Sequence, residues 1–315
     1  MMDISREKMY VWGLCILLFA GCKSINGKYI HEDDILYVQG RTPWNSRQYC
    51  YADKFGSPKL PKEYPFNYFK AANPFSYGLA LVMDQNDEWK YIDRKGNVVI
   101  DASDYSMCWG FGELMNPGQG CIKGLAYVCK SESDTCNFLY YSEDKGEFVD
   151  SGTRFGMINR KGQVVLPIEY EHITGLNGDI PPYDAIWWVR KNGLYGAINE
   201  KARLIIPLKY TDIKLFENGH ALVKSNDFWG LINKRDKTVF PFSITEYKQF
   251  ATSKSQSRTL AKQGDHWGII NHKGKTIIPF VYARWEEVQD WHIVRLYKAD
   301  GSYVTWNFKE DKYLD

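Results

Sequence analysis

Short apolar runs and polar turns alternate along most of this chain in one recurring order, and the order predicts strands. An aromatic residue opens each unit, isoleucine stands fourth, Asp or Asn stands fifth, and an aliphatic run ends twelve positions after the aromatic. Five copies are plain: Trp89 to Asp101, Phe155 to Pro167, Tyr195 to Pro207, Trp229 to Pro241 and Trp267 to Pro279. Their isoleucines are Ile92, Ile158, Ile198, Ile232 and Ile270, and their Asx residues are Asp93, Asn159, Asn199, Asn233 and Asn271. Three residues further on stands Gly96, Gly162 or Gly274, with Ala202 and Asp236 in the other two copies. Asx first and Gly last is type I turn chemistry. Proline cannot donate to a continuing ladder, so the unit reads strand, turn, strand, stop.

Another strand precedes the aromatic in Gly78 to Val82, Gly124 to Val128 and Gly219 to Val223, which makes each repeat a three-stranded antiparallel meander. Alternation puts the aromatic and the third residue on one face, and the second residue and the isoleucine on the other. That second residue is Gly156, Gly196, Gly230 or Gly268, which leaves room for a close neighbour. Degenerate copies begin at Tyr49 and Tyr303, as expected of end repeats that shield terminal faces. The expected fold is all-β, a tandem array of about seven such meanders over residues 35–315, arranged as a curved β-solenoid or a propeller-like ring.

The spacing breaks once. Successive aromatics lie 40, 66, 40, 34, 38 and 36 residues apart, so the long interval carries an insertion, at about 102–154. Phe138 to Tyr141 and Glu147 to Val149, around Lys145 and Gly146, predict an added hairpin. Insertions project from one face of an array, often the binding face. The region also holds Cys108, Cys121, Cys129 and Cys136, which in an exported protein point to disulfides ahead of a metal site. Cys129 with Cys136 and Cys108 with Cys121 is one of three pairings. There is no CxxC pair and no HExxH, so neither a metal nor a cofactor is expected.

The start of the chain follows a different rule. Arg6 and Lys8 precede an apolar core from Val11 to Ala20, then Ala20-Gly21-Cys22; this is a secretory signal, too short to span a membrane. It resembles a bacterial lipoprotein signal of Bacteroides type, with Phe19 where such signals more often carry Leu. The resemblance implies a signal peptide over 1–21, lipid on Cys22, a tether over 22–34, and a place on the outer membrane facing the periplasm. Aromatics at 16% suit half-buried pleated surfaces. A net charge of +2 without a long basic run argues against a nucleic-acid partner.

Trp229-Gly230-Leu231-Ile232-Asn233 and Trp267-Gly268-Ile269-Ile270-Asn271, each followed by a charged turn and a proline-ended strand, resemble the WG-repeat proteins. That resemblance implies a binding or scaffold protein and brings no catalytic residues. The expected function is therefore a non-catalytic, lipid-anchored envelope module whose repeat surface meets another envelope protein. Tryptophans outside the repeat position, Trp109, Trp187, Trp188, Trp285 and Trp291, are candidate binding residues and motivate a glycan-binding alternative. Trp187 and Trp188 are adjacent in a strand, so they point to opposite faces and only one joins a given buried layer. An envelope hydrolase using Glu286 and Glu287 is the weakest reading, because adjacent strand carboxylates cannot flank one bond.

Overall fold

The computed structural model describes residues 37–41, 48–52, 69–111, 122–131, 140–142, 147–174, 185–214, 219–250, 258–289 and 292–314. These form strands and turns without a helix. Strands β1 (Tyr37–Arg41) and β2 (Gln48–Ala52) pair alone. A four-stranded sheet follows, of β3 (Ala71–Ala72), β4 (Ala80–Met83), β5 (Trp89–Ile92) and β6 (Val98–Asp101). The second sheet contains β7 (Met107–Cys108), β8 (Leu125–Lys130), β11 (Arg154–Asn159) and β12 (Val164–Tyr170). Between β8 and β11 stands a separate hairpin, β9 (Tyr140–Ser142) and β10 (Glu147–Val149). The third sheet is β13 (His172–Ile173), β14 (Ile186–Lys191), β15 (Leu194–Asn199) and β16 (Leu204–Tyr210). Seven strands then share one ladder: β17 (Asp212–Ile213), β18 (His220–Ser225), β19 (Phe228–Asn233), β20 (Thr238–Phe250), β21 (Arg258–Gln263), β22 (His266–Asn271) and β23 (Thr276–Tyr282). The last sheet is β24 (Arg284–Gln289), β25 (Ile293–Tyr297), β26 (Tyr303–Asn307) and β27 (Lys312–Leu314).

Each complete unit is thus four-stranded, where the sequence predicted three, because the proline does not end its strand. β12 runs through Pro167 to Tyr170, β16 through Pro207 to Tyr210, and β23 through Pro279 to Tyr282. The chain then enters the short first strand of the next sheet after one residue, Glu171, Thr211 or Ala283. The long β20 makes that passage without a break, serving as the fourth strand of one meander and the first of the next.

Proline is tolerated because the fourth strand bulges at it. Met157 faces Leu166 and Phe155 faces Tyr170, so two steps of β11 span four of β12. The same shift recurs between Ala197–Ile206 and Tyr195–Tyr210, and between Ile269–Ile278 and Trp267–Tyr282. The bulge presses on the intervening glycine. A Cβ on Gly196 would lie 2.6 Å from the Ile206 carbonyl oxygen, and one on Gly156 2.7 Å from that of Leu166. On Gly230 it would meet the Phe242 ring at 2.8 Å.

The Asx residue closes the turn twice. Asn233 accepts on its main-chain oxygen from the Asp236 N–H at 3.0 Å, while its side-chain Oδ1 accepts from the N–H groups of Arg235 (2.9 Å) and Lys237 (3.1 Å). Asp93, Asn159, Asn199 and Asn271 repeat the pattern. An amide or carboxylate oxygen three bonds from Cα reaches both donors, which accounts for Asx in every copy. The residue closing the turn has a left-handed backbone, φ +87° at Gly96 and +59° at Asp236. Asp236 offsets its strain by accepting from the Tyr210 hydroxyl at 2.6 Å and the Lys209 ammonium at 2.5 Å.

Apolar layers lie between successive sheets in chain order. The first joins Tyr51 and Phe69 to Ala80, Val82 and Ile92, and the next joins Leu81 and Tyr91 to Ala126, Val128 and Ile158. Met157 and Phe155 then meet Trp187 and Val189; Trp188 and Ile206 meet Val223 and Ile232; Leu222 and Leu231 meet Ala261 and Ile270. The last layer packs Leu260 and Ile269 on Val294, Leu296 and Trp306. Among the described residues none of these layers joins the first sheet to the last.

Candidate interaction surfaces

An internal sheet is buried on both faces, and that decides the fate of the tryptophans. Trp187 and Trp188 do point apart, but each enters a layer, at 4% and 1% exposure. Trp109, 7% exposed, packs against the rings of Tyr127 and Phe155 at 6.4 and 6.3 Å. These three are core residues and present no ring to a ligand. Trp285 is half-buried, edge-on to Trp267 at 5.8 Å, with the Lys248 ammonium 5.2 Å from its ring centre. Trp291 lies outside the described residues.

Cys129 is disulfide-bonded, whereas Cys108 is a free buried thiol that burial pushes up to about 12. The expected pairing of Cys108 with Cys121 is therefore corrected. Cys108 instead packs with Leu81, Tyr91 and Val128 as a small apolar side chain. Cys22, Cys121 and Cys136 lie outside the described residues. The predicted hairpin is present as β9–β10, with Phe148 opposite Tyr141 and Val149 opposite Tyr140. It leaves the sheet at the end of the strands opposite the Asn159 turn.

The outward face of the last sheet is the surface that sequence reasoning missed. In internal sheets the cross-strand pair aimed at the next sheet is apolar: Tyr127 with Met157, Trp188 with Ala197, Leu222 with Leu231, Leu260 with Ile269. At the same register the last sheet carries Arg295 opposite Thr305. The signal was legible in the degenerate copy, where Thr305 stands in the place of Ile269.

Around that pair, side chains of three strands interlock. The Arg284 guanidinium lies 3.7 Å from the Tyr297 ring centre and that of Arg295 4.7 Å from the Tyr303 ring centre, while the two rings are 5.4 Å apart. Glu286 accepts from the Tyr297 hydroxyl and from Arg295, at 3.3 Å for the latter. The Tyr297 bond and the two arginines hold its carboxyl below the usual carboxylate range. Tyr303 is 55% exposed. Glu287 points the other way, to the Lys248 ammonium at 2.7 Å, so the two adjacent carboxylates do not converge. Among the described residues no three metal-ligating side chains cluster.

A family model described as the WG containing repeat matches residues 155–195, 195–227 and 267–284. No curated relative matches the chain. Among solved structures, BamB from Moraxella catarrhalis is 12% identical over 87% of this chain and 82% of its own, with a TM-score of 0.29. AztD from Citrobacter koseri is 9% identical over 76% and 69%, with a TM-score of 0.31. The C-terminal WD40 domain of Sif2 is 12% identical over 77% and 69%, with a TM-score of 0.26. At these scores none of the three informs the reading of this chain. The family matches begin in β11, β15 and β22 and end in β15, just past β18 and at the start of β24, so each crosses from one sheet into the next and the sequence repeat is out of phase with the sheet it helps to build. Residues 155–227 and 267–284, which are strands and turns where described, thus match the WG containing repeat.

Proposed function

We propose that this protein is a non-catalytic, lipid-anchored envelope module that binds another envelope protein through its repeat array. The carrying observation is the outward face of β24–β26, where two tyrosines and two arginines stand in place of an apolar layer. Tyr and Arg supply large, stiff contact area and planar hydrogen-bonding groups, the residue types that dominate protein interfaces. The β9–β10 hairpin is a second contact of the same module. Lipid on Cys22 holds the chain at the outer membrane, facing the periplasm.

A photo-crosslinker at position 303, compared with one at Thr276, tests this reading in native membranes. One discrete protein adduct specific to position 303 and lost in Arg295→Glu is expected; equal adducts at both positions overturn the assignment. A glycan-binding reading draws on the exposed Tyr303 ring beside Arg295. It predicts quenching of intrinsic fluorescence by envelope glycans that disappears in Tyr303→Ala, and an unchanged spectrum across a glycan panel removes it.

A further inference from the structure

We infer that one edge of the array is a lipid-facing ridge, built from the fourth strands of the first three sheets and the basic turns that feed them, and that it lies on an anionic membrane surface. This rests on the proposed anchor at Cys22 for its setting, and on three features of the described residues for its substance.

The first is charge. Two residues after the Asx stands a cation in six copies, as Lys95, Lys161, Lys201, Arg235, Lys273 and Lys309, whereas the degenerate copy that begins at Tyr49 has Phe55 there. The turn does not require it, since the Asx and the left-handed residue close the loop. All six are exposed, and none closes an ion pair among the described residues. From each Asx to the fourth residue beyond it, the six turns hold twelve Lys or Arg against five Asp or Glu, in a chain whose net charge is +2.

The second is exposed aliphatic surface beside those cations. Val98 and Val99 are each 46% exposed, Val164 and Val165 51% and 36%, and Leu204 48%. They begin β6, β12 and β16, within four residues of Lys95, Lys161 and Lys201. In β20 and β23 the positions of Val98 and Leu204 are taken by Thr238 and Thr276, so at this position beside the turn the apolar side chain is confined to the first three sheets. Exposed β-branched residues on an edge strand are an aggregation hazard that folds ordinarily blunt.

The third is continuity. Gly162 of one turn packs at 3.0 Å, from its Cβ position, on Ile100 of the preceding fourth strand, and Gly274 packs in the same way on Val239. Turn and fourth strand therefore alternate along one edge, about 10 Å per sheet. Cations beside aliphatic side chains are the composition that settles into an anionic lipid interface, with the ammonium groups at the headgroups. The sheets that carry this composition are also those nearest the anchor in sequence. Tyr37 stands fifteen positions after Cys22, a reach of up to about 50 Å.

Sedimentation of the full chain with vesicles tests the ridge. Phosphatidylglycerol vesicles are expected to retain wild-type protein at least tenfold better than phosphatidylcholine, with the preference falling as salt rises. Lys95→Glu with Lys161→Glu and Lys201→Glu removes the preference. Val165→Asn with Leu204→Asn lowers retention several-fold, whereas Thr276→Asn does not. The variants are compared with wild type on the same vesicles, so any lipid affinity of the N-terminal segment cancels in those comparisons, and they decide the test. Equal retention on both vesicles, or a triple variant that binds like wild type, overturns the proposal. Binding to soluble dextran sulfate as strong as to vesicles, unaffected by the Val165 and Leu204 substitutions, also overturns it and assigns the cations to a linear polyanion. Acyl mass on Cys22 in protein purified from membranes is read separately, so loss of the anchor reading leaves the vesicle result standing.

Discussion

The first four-stranded sheet and the third differ at two positions, and the difference shows what the repeat's glycine and proline are for. In β13–β16 the second residue of the middle strand is Gly196, the fourth strand carries Pro207, and a bulge between them brings the Ile206 carbonyl over the glycine. In β3–β6 the same positions are Lys90 and Asp101. There the bulge is absent: Lys90 lies directly opposite Asp101, and the Ala102 N–H continues the ladder to the Trp89 carbonyl at 3.0 Å. Glycine and proline are thus two halves of one device. Proline removes the donor that a bulged strand does not use, and glycine removes the side chain on which the bulge would fall. Where the bulge is gone both constraints lapse together, and Lys90 uses the freed face to hold Glu88 at 2.8 Å and the buried Asp84 at 3.1 Å.

The sharpest way to break the comparison is Gly196→Ala, which places a methyl against a backbone oxygen that the bulge fixes. It should destabilise the third sheet by about 3 kcal/mol, read as lost hydrogen-exchange protection in β15 and β16. The reciprocal change, Lys90→Gly, is the sequence of an internal repeat. It should nonetheless destabilise by about 2 kcal/mol, because the Asp84 carboxylate loses its cation and β5 gains a flexible residue. If Lys90→Gly instead stabilises the first sheet, the coupling between bulge and glycine is wrong. Smaller still is Asn233→Ala, which strips two main-chain donors of their side-chain acceptor and should cost about 1 kcal/mol, confined to exchange at Arg235 and Lys237.

Local chemistry was legible in the chain and context was not. The Asx turns, the glycine as a site of close approach and the β9–β10 hairpin could be read because each depends on neighbours a few residues away. Proline as a stop was misread because its tolerance rests on a bulge, a register shift between two strands that composition does not display. That error hid the first strand of the following sheet, which the chain reaches by running through the proline. Trp187 and Trp188 were misplaced for a related reason: alternation put them on opposite faces correctly, but only a stack in which each sheet is covered twice buries both. The outward face of the last sheet could have been found from Thr305 and Arg295, two polar residues at positions where earlier copies are apolar.

One further difference between the first sheet and the rest is chemical, since its turn uses Asp93 where the others use Asn. Partial burial pushes the Asp93 carboxyl up, but bonds from the Asn97 amide and from the main-chain N–H groups of Asn97 and Lys95 outweigh this and hold it below its usual value. A depressed folded-state value means that the ionised group's contribution is present above the ordinary carboxyl range and is lost as pH falls through the lowered one. Asparagine does not titrate, so the Asn159, Asn199, Asn233 and Asn271 turns keep their bonds. Acidification from about pH 5 to about pH 2 should therefore lower the protection factors of the Lys95 and Asn97 amides while those of Lys161 and Gln163 stay level. Asp93→Asn should abolish the difference between the two turns. A first turn that still loosens in acid as Asn would place the titrating group elsewhere in the sheet, with Asp84 the next carboxylate to replace, because its own bonds from Glu88, Asn86 and Lys90 also hold it low against burial.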